Sequence, residues 1–300
     1  MKSIKSVNVN KHRTEEKAKN AIFQYMITSD VVDARGDILN WKRSELYQTC
    51  ASFSRTSFEN YARRIGVDHH YSDERVFTKG HGCSTSLLYE CLRVIHDPMF
   101  DEYDKVLFAD TDIIVNTEEN IFDVCDEGAE VYGVLESDIE TPHGGGYNSW
   151  DYKKSTYDDF CSKFNMHNCP ILPTLPPNRP SKLTILNTGV VVWSKEGRLR
   201  AREEFDSWED WCYSKPSFHT SIMNDQPYIS AQLGKHEFDL ECLSQKWNDS
   251  PHYKTEDEFF EKANFCHYTG GEWKVDMVRH WNNSLYKIPT PKIWERALFP

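Results

Sequence analysis

The chain has 300 residues, 39% of them hydrophobic, and a formal charge of −12 at pH 7 with histidine neutral. That length and apolar content suit a packed core, and the acidity disfavours nucleic acid as a partner. The N-terminus carries Lys2, Lys5, Lys11, Arg13, Lys17 and Lys19 without an apolar stretch, and no run approaches the ~18 apolar residues of a membrane span, so a cytoplasmic protein with no signal peptide and no membrane span is expected.

In chain order, residues 1–19 read as a polar leader. Ala21–Thr28 is apolar and β-prone and is predicted as the first strand. Ser44–Ile65 reads as a helix, with Leu46, Phe53, Phe58, Tyr61 and Ile65 on one broad face and Gly66 as its stop. A short strand follows near Val67–His70. Ser84 is placed to cap a helix whose buried stripe is Leu87, Leu88, Cys91, Leu92 and Ile95, with Pro98 past its end. Lys105–Ala109 and Ile113–Val115 are short apolar strands, Glu118–Asp126 a helix and Glu130–Leu135 a strand. This alternation predicts an α/β fold with parallel strands.

Residues 139–182 break the pattern. They hold Gly144, Gly145 and Gly146 and prolines 170, 173, 176, 177 and 180, the composition of an irregular functional insert. Leu183–Trp193 is predicted as a strand interrupted at Asn187-Thr188-Gly189, followed by helices over 195–213 and 220–233 and a last strand over Asn264–Tyr268. The nine cysteines include no Cys-x-x-Cys, so reduced thiols are expected rather than a zinc ribbon or a disulfide framework. His167 and Cys169 stand close together but lack a second ligand pair.

The chemistry concentrates in Val106-Leu107-Phe108-Ala109-Asp110-Thr111-Asp112-Ile113-Ile114-Val115. Residues i and i+2 of a strand share a face, roughly 7 Å apart, so the two carboxylates can converge on one cation. Their mutual repulsion, on the order of 2–4 kcal/mol at an intermediate effective dielectric, would be reversed by a divalent metal. Hard oxygen ligands favour Mg²⁺ or Mn²⁺. The competing reading of the tripeptide is a solvated turn at a strand end.

Tyr103-Asp104-Lys105-Val106-Leu107-Phe108-Ala109-Asp110-Thr111-Asp112-Ile113 resembles the donor-site segment of GT-A glycosyltransferases, and in particular of glycosyltransferase family 8, the glycogenin and lipopolysaccharide galactosyltransferase family. Further segments follow in that family's order: Tyr61-Ala62-Arg63-Arg64-Ile65-Gly66-Val67-Asp68, Leu186-Asn187-Thr188-Gly189-Val190-Val191-Val192, Asn224-Asp225-Gln226, Trp247-Asn248 and His267-Tyr268-Thr269-Gly270-Gly271-Glu272-Trp273-Lys274. The last carries one residue more between Gly270 and Lys274 than the family's pattern. The likeness runs over roughly residues 21–275. It implies a GT-A, Rossmann-like fold over residues 20–300, with a mixed, mostly parallel sheet flanked by helices in a single domain.

The resemblance also implies a nucleotide-diphosphate sugar donor, UDP-linked, with glucose, galactose or xylose as candidates, a glycan or other hydroxyl acceptor, and Mn²⁺ or Mg²⁺. By its pattern Asp110, Asp112 and His267 are metal ligands, and Asp110 with Thr111 also reaches the nucleotide. Gly270 and Lys274 are expected to cradle the diphosphate, and Thr28, Ser29 and Asp30, after the first strand, to meet the nucleoside. Asn187, Asp225 and Gln226 are expected on the sugar and acceptor side, where Asp225 can take an acceptor proton or, on the competing reading, simply cap a helix. The aromatic tail (Trp273, Trp281, Tyr286, Trp294) suits either sugar stacking or core packing.

Two other enzymes and one binding protein compete. A haloacid-dehalogenase-type phosphatase would use Asp110 as nucleophile, but its motif opens the domain, and Asp158-Asp159 is the only adjacent aspartate pair available for its later metal site. A sugar-nucleotide pyrophosphorylase would want a glycine-rich basic loop where Ser29-Asp30-Val31 stands. A non-catalytic carbohydrate-binding protein would have no need of Asp110, Asp112, His267 and Lys274 together.

Overall fold

β1 (Asn20–Tyr25), β3 (Lys105–Ala109), β5 (Val131–Leu135) and β6 (Leu186–Ser194) are buried along almost their whole length, as strands in the interior of a sheet covered on both faces must be. The computed structural model describes residues 18–27, 45–81, 86–125, 128–135, 186–213, 225–250, 262–269 and 273–282. With β2 (Asp68–Ser72) and β7 (Leu240–Cys242) these strands form a six-stranded sheet in the order β2-β1-β3-β6-β5-β7. Strands β1, β2 and β3 are mutually parallel, β5 and β7 are parallel, and β6 runs against both neighbours. The sheet is mixed and mostly parallel, flanked by helices. A two-stranded antiparallel sheet pairs β4 (Ile113–Val115) with β8 (Phe265–His267).

Alternate residues of each central strand enter different cores. Phe23, Val106, Phe108, Val191 and Trp193 face one cluster with Leu92, Ile95, Trp208 and Tyr228. Ile22, Leu107, Val190 and Val192 face the other with Phe58, Tyr61, Trp247 and Phe265. The first face is covered by residues 86–96, by α4 (Trp208–Tyr213) and by α5 (Asp225–Lys235). The second is covered by α1 (Glu45–Ile65) and the small sheet.

Helix α1 follows its sequence signals. Cys50, Ser54, Ser57, Phe58, Tyr61 and Ala62 are buried at helical spacing, with Glu45 in the first turn and Arg63 and Arg64 in the last. Gly66 ends it with φ 73°; its N–H and that of Val67 both donate to the Ala62 carbonyl, which is the left-handed helix stop that glycine permits. A further helix, α6 (Trp273–Asn282), packs on α1, where Trp281 stacks on Phe53 at 4.8 Å. Both described members of the aromatic tail, Trp273 and Trp281, pack into that third core with Met277.

Several elements differ from expectation. The stripe at Leu87–Ile95 forms a 3₁₀ segment (Ser86–Leu92) closed by one α-turn, α2 (Arg93–His96); over so few residues, offsets of three and four serve both geometries. Glu118–Asp126 yields a single 3₁₀ turn, Ile121–Val124, capped by Asn120. The helix over 195–213 divides into α3 (Lys195–Glu204) and α4, because Ser207 accepts the Asp210 N–H and starts a new helix. The strand expected to break at Asn187-Thr188-Gly189 runs through them as β6, and the break becomes a shift of register against β5 between Gly133 and Leu135. The insert at 139–182, with His167 and Cys169, lies outside the described residues. Among the described cysteines 50, 91, 125, 212, 242 and 266, none is bonded to another. Among the described residues no helix is long and apolar enough to cross a membrane.

Candidate active site

Within three residues the chain leaves one sheet for the other. β3 holds its antiparallel register with β6 to Ala109↔Val190, and the Asp110 N–H then donates to the Gly189 carbonyl at 2.8 Å. Thr111 and Asp112 make the turn, and the Tyr268 N–H donates to the Asp112 carbonyl at 2.9 Å before β4 pairs with β8. Both acidic side chains therefore stand where the two sheets meet, past the carboxyl end of β3. The Asp110 carbonyl is held from behind by Gln24 Nε2 at 3.1 Å, and the Gln24 amide also donates to Ser54 Oγ at 3.0 Å. Thr111 Oγ1 turns toward Met26 Sδ at the end of β1.

The β4–β8 pairing places His267 opposite Ile113, so its ring meets both carboxylates. His267 Nε2 lies 3.2 Å from Asp112 Oδ1 and 3.7 Å from Asp110 Oδ2. One ligand atom from each of the three residues lies within 4.8 Å of the others. Gly189 makes the approach possible: a Cβ there would stand 2.2 Å from His267 Cε1 and 2.8 Å from Nδ1.

Lys274, expected at the diphosphate, is placed by α6 against the carboxylates. Its Nζ donates to Asp112 Oδ2 and, at 2.6 Å, to the Tyr268 carbonyl, and the side chain is only 4% exposed. This geometry divides the acidic pair electrostatically. Desolvation raises the pKa of Asp110, with the charge of Asp112 adding to the rise. Burial also acts on Asp112, but the Lys274 ammonium and then His267 outweigh it and hold this carboxyl well below the usual range.

Asn187, Asp225 and Gln226 gather on the β6 side. Asp225 opens α5 and accepts from Thr188 Oγ1 at 2.8 Å and, more distantly, from the Cys91 thiol at 3.7 Å. Burial raises its pKa, and the bonds from Thr188 and the amides at the helix start offset only part of that rise. Gln226 Oε1 faces the Thr188 N–H at 3.5 Å. Asn187 Oδ1 accepts from the Gly189 N–H at 2.9 Å and from Asn248 Nδ2 at 2.9 Å. Thr28, Ser29, Asp30 and Gly270 lie outside the described residues, as does Asp158-Asp159.

Sequence reasoning overlooked Gln24, Ser54 and Thr188 and gave Asn248 no task. Gln24 had a readable signal, as the one polar side chain within the run Ala21–Met26. Thr188 and Ser54 had none, since only the fold brings them to their partners.

The donor set fits a divalent cation. Asp112 Oδ1 and His267 Nε2 are both buried, 3.2 Å apart, and neither meets another hydrogen-bond partner among the described residues; groups of that kind are kept inside a protein when something else satisfies them. Two carboxylate oxygens and one imidazole nitrogen suit Mn²⁺, with Mg²⁺ as the all-oxygen alternative.

No protein-family model matches the chain, and no curated protein matches it. Similar solved structures include a glycosyltransferase involved in the glycosylation of the major capsid of PBCV-1, 14% identical over 87% of this chain and 99% of that one, with a TM-score of 0.48. Mouse xyloside xylosyltransferase 1 is 15% identical over 84% of this chain and 98% of that one, with a TM-score of 0.46. The galactosyltransferase LgtC, in complex with donor and acceptor sugar analogs, is 12% identical over 92% of this chain and 99% of that one, with a TM-score of 0.44.

Proposed function

We propose that the protein is a metal-dependent glycosyltransferase of the GT-A type. It would move a sugar from a nucleotide-diphosphate donor to a hydroxyl acceptor such as a glycan. The observation that carries this reading is the convergence of Asp110, Asp112 and His267 past the end of β3, with two of the ligand atoms buried and, among the described residues, partnered only by each other. Resemblance to glycosyltransferase family 8 favours a UDP-linked donor and glucose, galactose or xylose as the sugar.

In this reading Asp110, Asp112 and His267 hold Mn²⁺ or Mg²⁺. The cation supplies Lewis-acid stabilisation of the departing diphosphate. Lys274, placed beside Asp112, adds a positive charge within reach of the same phosphates. Gly270 would contribute its backbone amide, and Thr28, Ser29, Asp30 and Thr111 would contact the nucleoside. Gln24 and Ser54 keep the Asp110 backbone in place and so fix the direction of its carboxylate.

Asp225, Gln226 and Asn187 line the sugar and acceptor side. Thr188 occupies one oxygen of Asp225, and the raised proton affinity of this carboxyl suits it to take a proton from an acceptor hydroxyl in an inverting reaction. In a retaining reaction the same carboxyl would orient the sugar, and the anomeric configuration of the product separates the two. The insert at 139–182 would shape the acceptor site, so deleting its proline-rich part should damage transfer more than donor hydrolysis.

The test is incubation with Mn²⁺ and a panel of sugar nucleotides while release of the nucleoside diphosphate is followed. Asp112→Ala is expected to reduce that release at least about 100-fold, since losing even an outer partner of a metal ligand costs up to that much. Phosphate release from a generic phosphomonoester, indifferent to sugar nucleotides, would instead support the phosphatase and refute the transferase.

A further inference from the structure

We infer that Asn248, itself oriented by Asn187, is a positioning residue that holds the His267 ring by accepting its Nδ1–H, so that Nε2 faces Asp110 and Asp112. The purpose of this arrangement rests on the metal site proposed above; the arrangement itself does not.

The deduction begins at a group whose role is unambiguous. A backbone N–H can only donate, so the Asn187 side-chain atom 2.9 Å from the Gly189 N–H is its carbonyl oxygen. That oxygen can only accept, so the Asn248 atom 2.9 Å from it is the amide nitrogen. The other end of the Asn248 amide is then its oxygen, and it lies 2.7 Å from His267 Nδ1. An oxygen acceptor at that distance calls for a hydrogen on Nδ1. With that hydrogen on Nδ1, Nε2 is the ring nitrogen left to coordinate a metal. Nε2 is the ring nitrogen that faces both carboxylates.

Burial protects this contact from solvent. Asn187, Asn248 and His267 are 5%, 1% and 2% exposed, so bulk water cannot replace the Asn248 oxygen. The backbone next to Asn248 is pinned independently of its amide: the Asp249 N–H donates to the Phe265 carbonyl, and the His267 N–H donates to the Asp249 carbonyl. Changing the Asn248 side chain therefore changes the tautomer before it changes the fold. Asn187, expected beside the donor sugar, has its oxygen committed to this relay.

The experiment uses full-length, metal-free protein with ¹⁵N-labelled histidine at pH 8. Long-range ¹H–¹⁵N correlations report which ring nitrogen is protonated, and His267→Gln identifies the His267 signals among the 12 histidines. The wild type is expected to show Nδ1–H. Asn248→Leu should move His267 toward Nε2–H and weaken binding of Mn²⁺ alone by about 10–100-fold. Asn248→Asp keeps an oxygen for Nδ1–H and should retain it, but it has no N–H to donate to Asn187 Oδ1, so part of the affinity should be lost. A wild-type His267 without a hydrogen on Nδ1 would overturn the inference. So would Asn248→Leu with an unchanged tautomer and unchanged affinity. If the tautomer behaves as described but Mn²⁺ binds none of the proteins, the relay stands and the glycosyltransferase reading fails.

Discussion

Gly189 shows how one missing atom shapes the site. Its Cβ position is filled by the His267 ring, so Gly189→Ala must displace either β6 or the histidine. The expected result is a loss of Mn²⁺ affinity in a calorimetric titration, together with a stability cost of about 1–3 kcal/mol, the usual range for overpacking. Asp110, Asp112 and His267 were legible as residues because their motifs are short and local. Their support was not. Gln24, Ser54 and Asn248 reach the site across 86, 56 and 19 positions of sequence, and no local pattern encodes such partners.

Among the elements, the segment 86–96 is tied to the loop before it by Glu90. This fully buried carboxylate accepts the N–H groups of Val76, Phe77 and Thr78 and the Thr78 hydroxyl, all within 2.9 Å. An amide presents one oxygen in place of two and sets an NH₂ against these donors. Glu90→Gln should therefore cost about 2–3 kcal/mol and speed hydrogen exchange at residues 76–78 more than in β3. The buried strands were readable as elements because their sequences are apolar throughout. The direction of β6 was not readable, since side-chain periodicity is the same whichever way a strand runs. β7 was missed: only Leu240–Cys242 belong to it, too few for a pattern. The 195–213 helix was drawn too long because the cap at Ser207 resembles any other surface serine.

At the scale of the molecule, stability should fall in mild acid. Burial lowers the pKa of His69 and of His96 to about 4, from an ordinary 6.5. Between those values the unfolded chain binds more protons than the folded one. Their contribution is thus complete above about pH 6.5 and is lost as pH falls toward 4. Urea midpoints measured at pH 7.5, 5.5 and 4.5 should decline in that order, and His96→Gln, which cannot titrate, should flatten the decline. The order of the chain has its own consequence for how the protein is made. Asp112 leaves the ribosome 155 residues before His267 and 162 before Lys274, and domains form from the N-terminus onward during synthesis. A nascent chain can assemble β1, β2 and β3 while its two aspartates still lack both nitrogen partners. The complete cluster of two carboxylates, imidazole and ammonium is therefore a late product of biogenesis, acquired when β8 closes on β4.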